Sequence, residues 1–165
     1  MVVSNTQAQT HDINAQDVAR GVSRYLLSLG QSPMVEVPFG NNRRIDIAAL
    51  DKKGRIIAIE IKVSLSDFKN DLKWPQYLDY CDFFYFAVCP GFPIQVFDEE
   101  AALPDRCGLI IADKFQAHVV RTAAEVPMNA QRRRAETLRF ARRAARRLQA
   151  LEDPESRAHD RFRLL

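Results

Sequence analysis

The stretch RIDIAALDKKGRIIAIEIK, residues 44–62, decides the fold of this 165-residue chain. Two runs rich in Ile and Ala stand on either side of Asp51–Gly54, whose Asp, Lys and Gly residues are typical of a turn. Because β-branched residues favour strands, we expect strands at Arg44–Leu50 and Ile56–Val63. The stretch therefore predicts a β-hairpin.

The length of the turn decides which side chains of the hairpin meet. A three-residue loop, Lys52-Lys53-Gly54, with glycine in the left-handed conformation, sets Asp46 opposite Glu60 and places Arg44 opposite Lys62. Cross-strand neighbours lie about 5 Å apart, so the two carboxylates repel unless a cation neutralises them. A hard divalent cation, Lys62 and Arg44 are the candidates, and Mg²⁺ suits two carboxylates well. The alternative is an ordinary half-exposed sheet surface of mixed charge.

The segments around this hairpin alternate between helical and strand patterns. A helix is predicted from its N-cap Asn14 to a stop at Gly30, and a strand at Met34–Val37 precedes the hairpin. The further predicted elements are a helix from Ser64 or Ser66 to about Tyr80 with an interruption at Pro75, a parallel strand at Phe83–Val88, strands at Leu109–Ala112 and Ala117–Val120, and a helix at about 129–151. This order, αβββαβ followed by ββα, predicts an α/β fold with a mixed central sheet flanked by helices.

Composition narrows the class of protein. Hydrophobic residues make up 47% of the chain and charged residues 27%, which excludes a mainly disordered or collagen-like chain. No apolar run reaches the ~20 residues of a membrane span, and the N-terminus lacks the pattern of a secretory signal. We therefore expect a cytoplasmic protein with no membrane partner and with its three cysteines reduced. The predicted organisation is a flexible arm at 1–13, a single domain at 14–153 and a tail at 154–165.

Positive charge is concentrated in the last fifth of the chain. Residues 131–165 hold eleven arginines and five acidic residues, a net charge of +6, so the rest of the chain carries −3. Arginine binds phosphate in a bidentate manner, which favours a nucleic-acid partner. On a helical projection the arginines occupy one arc, and an apolar arc that includes Leu138, Ala141, Ala145 and Leu148 lies opposite. We expect the apolar arc to pack on the domain and the arginines to face solvent, as a phosphate-binding surface or as a merely solvated face.

The spacing Asp46…Glu60-Ile61-Lys62 resembles that of the PD-(D/E)XK nuclease superfamily, whose restriction-endonuclease-like core has the order αβββαβ. More specifically, the run RRIDIAALDKKGRIIAIEIKVSLSDFKNDLKWPQYLDYCDFFYFAV, residues 43–88, resembles the MmcB-type DNA repair proteins of bacteria. Ile45 stands where proline often precedes the aspartate of the superfamily. The resemblance covers the hairpin, the following helix and the fourth strand.

The resemblance implies a Mg²⁺- or Mn²⁺-dependent DNA nuclease that acts in repair. By this resemblance, Asp46 and Glu60 would bind the metal, the Ile61 carbonyl would be a third ligand, and Lys62 would orient the attacking water and stabilise charge on the phosphorane. Glu36, on the first strand, is either a further ligand or a solvent-facing residue. A nucleic-acid-binding module or adaptor that keeps the nuclease fold without cleavage is the alternative.

Further residues are predicted to contact DNA or to support the site. Trp74 and Tyr77, three positions apart on a helix that also carries Asp67 and Asp71, either stack on a base or complete the core. Gln76 and Tyr80 match a Gln-x-x-x-Tyr motif of some superfamily members and are auxiliary candidates. The residues expected to contact DNA are Arg44, Lys69, Lys73, Trp74, Arg139, Arg142, Arg143 and Arg146. A homodimer or a repair-protein partner is also expected, and the protein is expected at the nucleoid when bound to DNA.

Overall fold

A six-stranded mixed sheet with its strands in sequence order, β1 to β6, forms the centre of the computed structural model, which describes residues 13–155. The strands are β1 Ser32–Pro38, β2 Arg44–Leu50, β3 Ile56–Lys62, β4 Phe83–Val88, β5 Cys107–Ala112 and β6 Ala117–Arg121, and the helices are α1 Ala15–Ser28, α2 Leu65–Asn70 and α3 Ala130–Glu152. Short 3₁₀ helices span Trp74–Tyr80, Ile94–Asp98 and Glu100–Ala102. β3, β4 and β5 are parallel and the other neighbours antiparallel, so the predicted α/β class and mixed sheet are confirmed.

The predicted flexible arm and tail lie almost entirely outside the described residues. Ile13, the last residue of the predicted arm, is described, and it packs against the apolar cluster beneath α1. None of the helices within residues 13–155 is long and apolar enough to cross a membrane.

Local signals at both ends of α1 determine its length. The Asn14 side chain accepts hydrogen bonds from the backbone N–H groups of Gln16 and Asp17, and the Asp17 carboxylate accepts one from the Asn14 N–H. Gly30 follows the helix with φ of +71°, a conformation that glycine adopts without strain. Both predicted ends are therefore confirmed.

The hairpin has the predicted register, but the pairing stops before the carboxylates. Ile47 pairs with Ile59 and Leu50 with Ile56, as the three-residue loop requires. The pairing of Asp46 with Glu60 was a wrong prediction, as was that of Arg44 with Lys62. The ladder ends at Ile47, and β2 continues as the partner of β1 alone. The two strands therefore diverge at the point where the carboxylates lie.

The sheet is covered on both faces. Val18, Val22 and Leu26 of α1 pack on the isoleucines and alanines of one face. The 3₁₀ segments and Met128 cover the other face, where Phe84 and Phe86 are fully buried. Because β3 has helical cover on both sides, all seven of its residues are buried, including Glu60 and Lys62. The charged residues at the end of this strand are therefore largely withdrawn from solvent.

The segment after β3 differs from the single interrupted helix that the sequence predicts. Ser64 caps α2, which ends at Asn70, and Pro75 lies in the first turn of the following 3₁₀ helix instead of interrupting a longer one. Trp74 is 5% exposed and packs against the rings of Phe84 and Phe86. The structure therefore supports the interpretation of Trp74 as a core residue and not as a base-stacking residue.

The last helix meets the domain with a different side from the predicted one. Leu138 and Leu148, expected in the core, are 55% and 56% exposed. The side of α3 that meets the domain carries Glu136, Phe140 and Arg147 instead. The surface of the domain that contacts this side of α3 contains backbone carbonyls and N–H groups. Polar side chains can form hydrogen bonds with these groups, whereas leucine cannot.

Candidate functional site

The divergence of β2 from β3 brings Asp46 to the backbone of β3. Its Oδ2 accepts a hydrogen bond of 2.7 Å from the Ile61 N–H, which would otherwise pair with β2. Glu60, the residue before Ile61, has an 11% exposed side chain, and its Oε2 is buried with no hydrogen-bond partner among the described residues. Two carboxylates therefore meet at the end of the hairpin, and one of them has an unsatisfied oxygen.

This arrangement makes ionisation of the carboxylates unfavourable. Burial, and then the charge of Asp46, raises the pKa of Glu60 to about 8. Burial also raises the pKa of Asp46, although the hydrogen bond from Ile61 and the charge of Lys62 act in the opposite direction. A further cation beside Asp46 and Glu60 would stabilise the ionised forms of both carboxylates.

Lys62 is the nearest cation, and its charge is shared among three acids. Its Nζ lies 2.6 Å from Asp71, 3.4 Å from Glu60 and 3.9 Å from Asp67, and its side chain is 3% exposed. Burial disfavours the ammonium, but the hydrogen bond to Asp71 raises the pKa of Lys62 nevertheless. Lys62 therefore stays charged beside Glu60.

Asp71 belongs to the site, although the sequence did not single it out as a site residue. Besides binding Lys62, it accepts hydrogen bonds from the backbone N–H groups of Lys73 and Trp74. Burial opposes its ionisation, yet the hydrogen bond from Lys62 lowers its pKa. The available signal was an aspartate three residues before Trp74-Pro75, since aspartate in a turn often accepts a hydrogen bond from the backbone two residues on.

Glu36 lies near the carboxylates but pairs with another residue. It has φ of +50°, unusual for a residue with a side chain, and its 61% exposed carboxylate lies 3.6 Å from the guanidinium of Arg44. Glu36, Asp46 and Ile61 line a cavity of about 450 Å³ beside α1. Of the two readings of Glu36, the structure favours the solvent-facing one.

The two auxiliary candidates, Gln76 and Tyr80, connect neighbouring segments of the chain. The Gln76 side chain accepts a hydrogen bond from Arg43, and its carbonyl accepts one from Asn41, so it fixes the β1–β2 loop. Tyr80 stacks on Phe39 at 5.8 Å, with the guanidinium of Arg132 over its ring. Gln76 and Tyr80 therefore support the loop beside α3.

A basic cleft of about 860 Å³ lies between α3 and the β1–β2 loop. The arginines that line it are Arg139, Arg142, Arg143, Arg146 and Arg147. Arg147 donates hydrogen bonds of 2.7 and 3.1 Å to the carbonyls of Val35 and Glu36, so the cleft adjoins the strand that carries Glu36. The predicted lysines, Lys69 and Lys73, are exposed at the other side of the site, on α2 and the turn that follows it.

Close contact between the β1–β2 loop and α3 holds this cleft in shape. Glu136 is 3% exposed, and its carboxylate accepts hydrogen bonds from the Gly40 N–H at 3.1 Å and from Arg139 at 2.5 Å. A Cβ at Gly40 would come within 2.7 Å of both side chains. A side chain at this position would displace the ends of the Glu136 and Arg139 side chains from the loop.

The side chains around Asp46 and Glu60 determine which metal ion could bind there. Within residues 13–155, no group of three or more His, Cys, Asp or Glu side chains is arranged to hold a metal ion. Asp46 and Glu60 nevertheless present two hard anionic ligands, and the unsatisfied Oε2 of Glu60 fits a cation that keeps several waters. The residues present therefore fit Mg²⁺ or Mn²⁺ held by few protein ligands.

Sequence comparison assigns the chain to a family. A family model described as DNA repair protein MmcB-like matches residues 3–155. The chain belongs to the MmcB-like family. A solved structure, the SPO1766 protein of unknown function from Silicibacter pomeroyi, is 42% identical in sequence to this chain. The alignment covers 85% of this chain and 92% of the SPO1766 chain, with a TM-score of 0.77. No curated protein matches. The MmcB-like family associates the chain with DNA repair and thus with DNA.

Proposed function

We propose that this MmcB-like protein is a Mg²⁺-dependent nuclease of the PD-(D/E)XK type, which hydrolyses phosphodiester bonds of DNA during repair. The observation that carries the proposal is the meeting of Asp46 and Glu60, with a buried carboxylate oxygen unsatisfied, beside the ammonium of Lys62. The element order α1, β1, β2, β3, α2, β4 supports the same superfamily.

Each residue of the proposed site has a role in cleavage that its position supports. Asp46 and Glu60 would hold Mg²⁺, with the Ile61 carbonyl as a further ligand, and the metal would supply Lewis-acid polarisation of the phosphate and a more acidic water. Lys62, whose Nζ lies 3.4 Å from Glu60, keeps a positive charge where negative charge develops on the phosphoryl oxygens. Asp71 is a positioning residue, because it holds the Lys62 ammonium in place.

The basic cleft is the proposed path of the DNA backbone. Arg139, Arg142 and Arg146 are exposed, and Arg147 connects the cleft to the strand beside Asp46. Phosphate contacts position a nucleic acid without reading its sequence, so this surface would bind DNA of any sequence. Lys69 and Lys73 are proposed to contact the backbone on the other side of the carboxylates.

One observation favours a second candidate, a DNA-binding adaptor without cleavage. Lys62 is 3% exposed and firmly paired with Asp71, as a purely structural ion pair would be. In that case Asp46 and Glu60 would contribute to the fold or to binding alone.

Cleavage of a panel of DNA substrates distinguishes the two candidates. We expect single-stranded, nicked, flapped or branched DNA to be cut in the presence of Mg²⁺ or Mn²⁺ and to stay intact with a chelator. The full-length protein is used, and binding to each substrate is measured in parallel. Binding to every substrate without metal-dependent cleavage of any would contradict the nuclease and support the adaptor.

A further inference from the structure

The outward side of α3 carries an apolar stripe without a partner among the described residues. Leu138 and Leu148 are 55% and 56% exposed, and Ala141 and Ala145 are exposed between them. Single exposed leucines are common on protein surfaces, but a continuous stripe along three turns of one helix is typical of an interaction site. The polar side of the helix already faces the domain, so the stripe is free to meet another molecule.

The stripe is symmetric along the helix. Leu138 and Leu148 stand five residues before and after Arg143, and Ala141 and Ala145 stand two residues before and after it. The spacings of three, four and three residues are those of the a and d positions of a coiled coil. If two copies of α3 cross antiparallel at Arg143, each leucine meets a leucine and each alanine meets an alanine. The small alanines at the crossing would allow the two helices to approach closely.

The charges at the ends of the stripe follow the same symmetry. Arg134 and Glu152 are exposed, nine residues before and after Arg143, and fall on the side of the helix that carries the stripe. In the antiparallel pair, Arg134 of each copy would lie opposite Glu152 of the other. In a parallel pair, each would meet its like-charged equivalent, which is unfavourable. For two copies of α3, charge therefore favours the antiparallel orientation over the parallel one.

We propose that the chain forms a two-fold symmetric dimer through antiparallel pairing of α3 along Leu138, Ala141, Ala145 and Leu148. The contact is isologous, as in most homodimers. Because Glu136 and Arg147 face the domain on the other side of α3, the two domains would lie on opposite sides of the helix pair. Arg139 and Arg146 would stay in the basic cleft of each copy, open to ligands. The proposal does not depend on the nuclease function.

Analytical ultracentrifugation of the full chain without DNA tests the pairing. We expect a concentration-dependent dimer with a dissociation constant in the micromolar range, since one pair of helices gives a small interface. The double variant Leu138→Glu, Leu148→Glu should be monomeric at about 100 μM, because it buries four carboxylates in the dimer. Leu27→Glu, at an equally exposed leucine of α1, is the matched control and should leave the dimer unchanged.

A charge exchange tests the orientation without altering the leucines. Arg134→Glu alone should weaken the dimer about tenfold, because two like-charged pairs replace two opposite ones. Adding Glu152→Arg should restore the dimer, since the pairs are then opposite again. A monomer at every concentration up to about 100 μM, a dimer that survives the leucine changes, or a double exchange that does not restore association would each overturn the proposal.

Discussion

The variant Glu60→Gln is expected to lower Mg²⁺-dependent DNA cleavage by about a thousandfold or more. The amide keeps the shape of the side chain but removes the anionic ligand at which the unsatisfied oxygen lies. Asp46→Asn should have a similar effect. Lys62→Met should also abolish cleavage, but through loss of the positive charge that stabilises the transition state. The rate constant of single-turnover cleavage measures all three effects.

Thermal unfolding would distinguish loss of cleavage from loss of the fold. The pKa of Glu60 in the folded protein, about 8, lies above the value for an unfolded chain, so Glu60 supports folding fully at low pH. That contribution disappears as the pH rises through about 8, and Glu60→Gln avoids the loss. The variant should therefore melt at a higher temperature than the parent at pH 8 without metal.

The matched control for cleavage is Glu99→Gln, a substitution at an exposed glutamate away from the site. Cleavage by Glu60→Gln at the parental rate would show that the site is wrongly assigned.

The second large effect is expected from the arginines of the basic cleft. Changing Arg139, Arg142 and Arg146 together to Gln should weaken DNA binding about a hundredfold at moderate salt. The slope of log K against log salt should become shallower by about 2.7, at about 0.9 for each lost phosphate contact. Glutamine keeps helix propensity, and its amide at position 139 can still donate a hydrogen bond to the buried Glu136 carboxylate. The half-buried Arg143 and Arg147 are left in place, so α3 should remain folded.

Three exposed lysines in hairpin turns provide the control for this experiment. Replacing Lys52, Lys53 and Lys114 with Gln removes the same charge from the β2–β3 and β5–β6 turns. If the loss of affinity depends on the cleft, the lysine variant should bind DNA almost as the parent does. An equal loss in both triple variants would mean that only net charge matters, and would refute the cleft as the path of the DNA.

Local signals in the sequence predicted much of the fold. The three-residue turn at Lys52–Gly54 fixed the hairpin register, and the capping residues Asn14 and Asp17 fixed the start of α1. These features depend on residues a few positions apart, so their physics can be read from a short window. The grouping of Asp46, Glu60 and Lys62 followed from the register.

The remaining features depend on partners distant in the sequence. The divergence at Asp46 arises because its carboxylate takes the Ile61 N–H from the ladder. The orientation of α3 depends on the backbone carbonyls of Val35 and Glu36, which accept hydrogen bonds from Arg147. A helical projection of α3 shows only the residues of the helix itself and therefore cannot predict these contacts. Phe140 of the predicted apolar arc packs on the domain, but Leu138 and Leu148 of the same arc are exposed. A projection cannot distinguish a helix that packs on its own domain from one whose apolar side is exposed.

Calorimetric titration of the metal-free protein with Mn²⁺, without DNA, tests the central claim most directly. We predict binding at Asp46 and Glu60 that is lost in Asp46→Asn and kept in Lys62→Met. Because the cation must displace the proton of Glu60, whose pKa is about 8, affinity should fall about tenfold for each pH unit below that value. Absence of Mn²⁺ binding, or binding of equal strength in Asp46→Asn, would contradict the assignment of these carboxylates as a metal site.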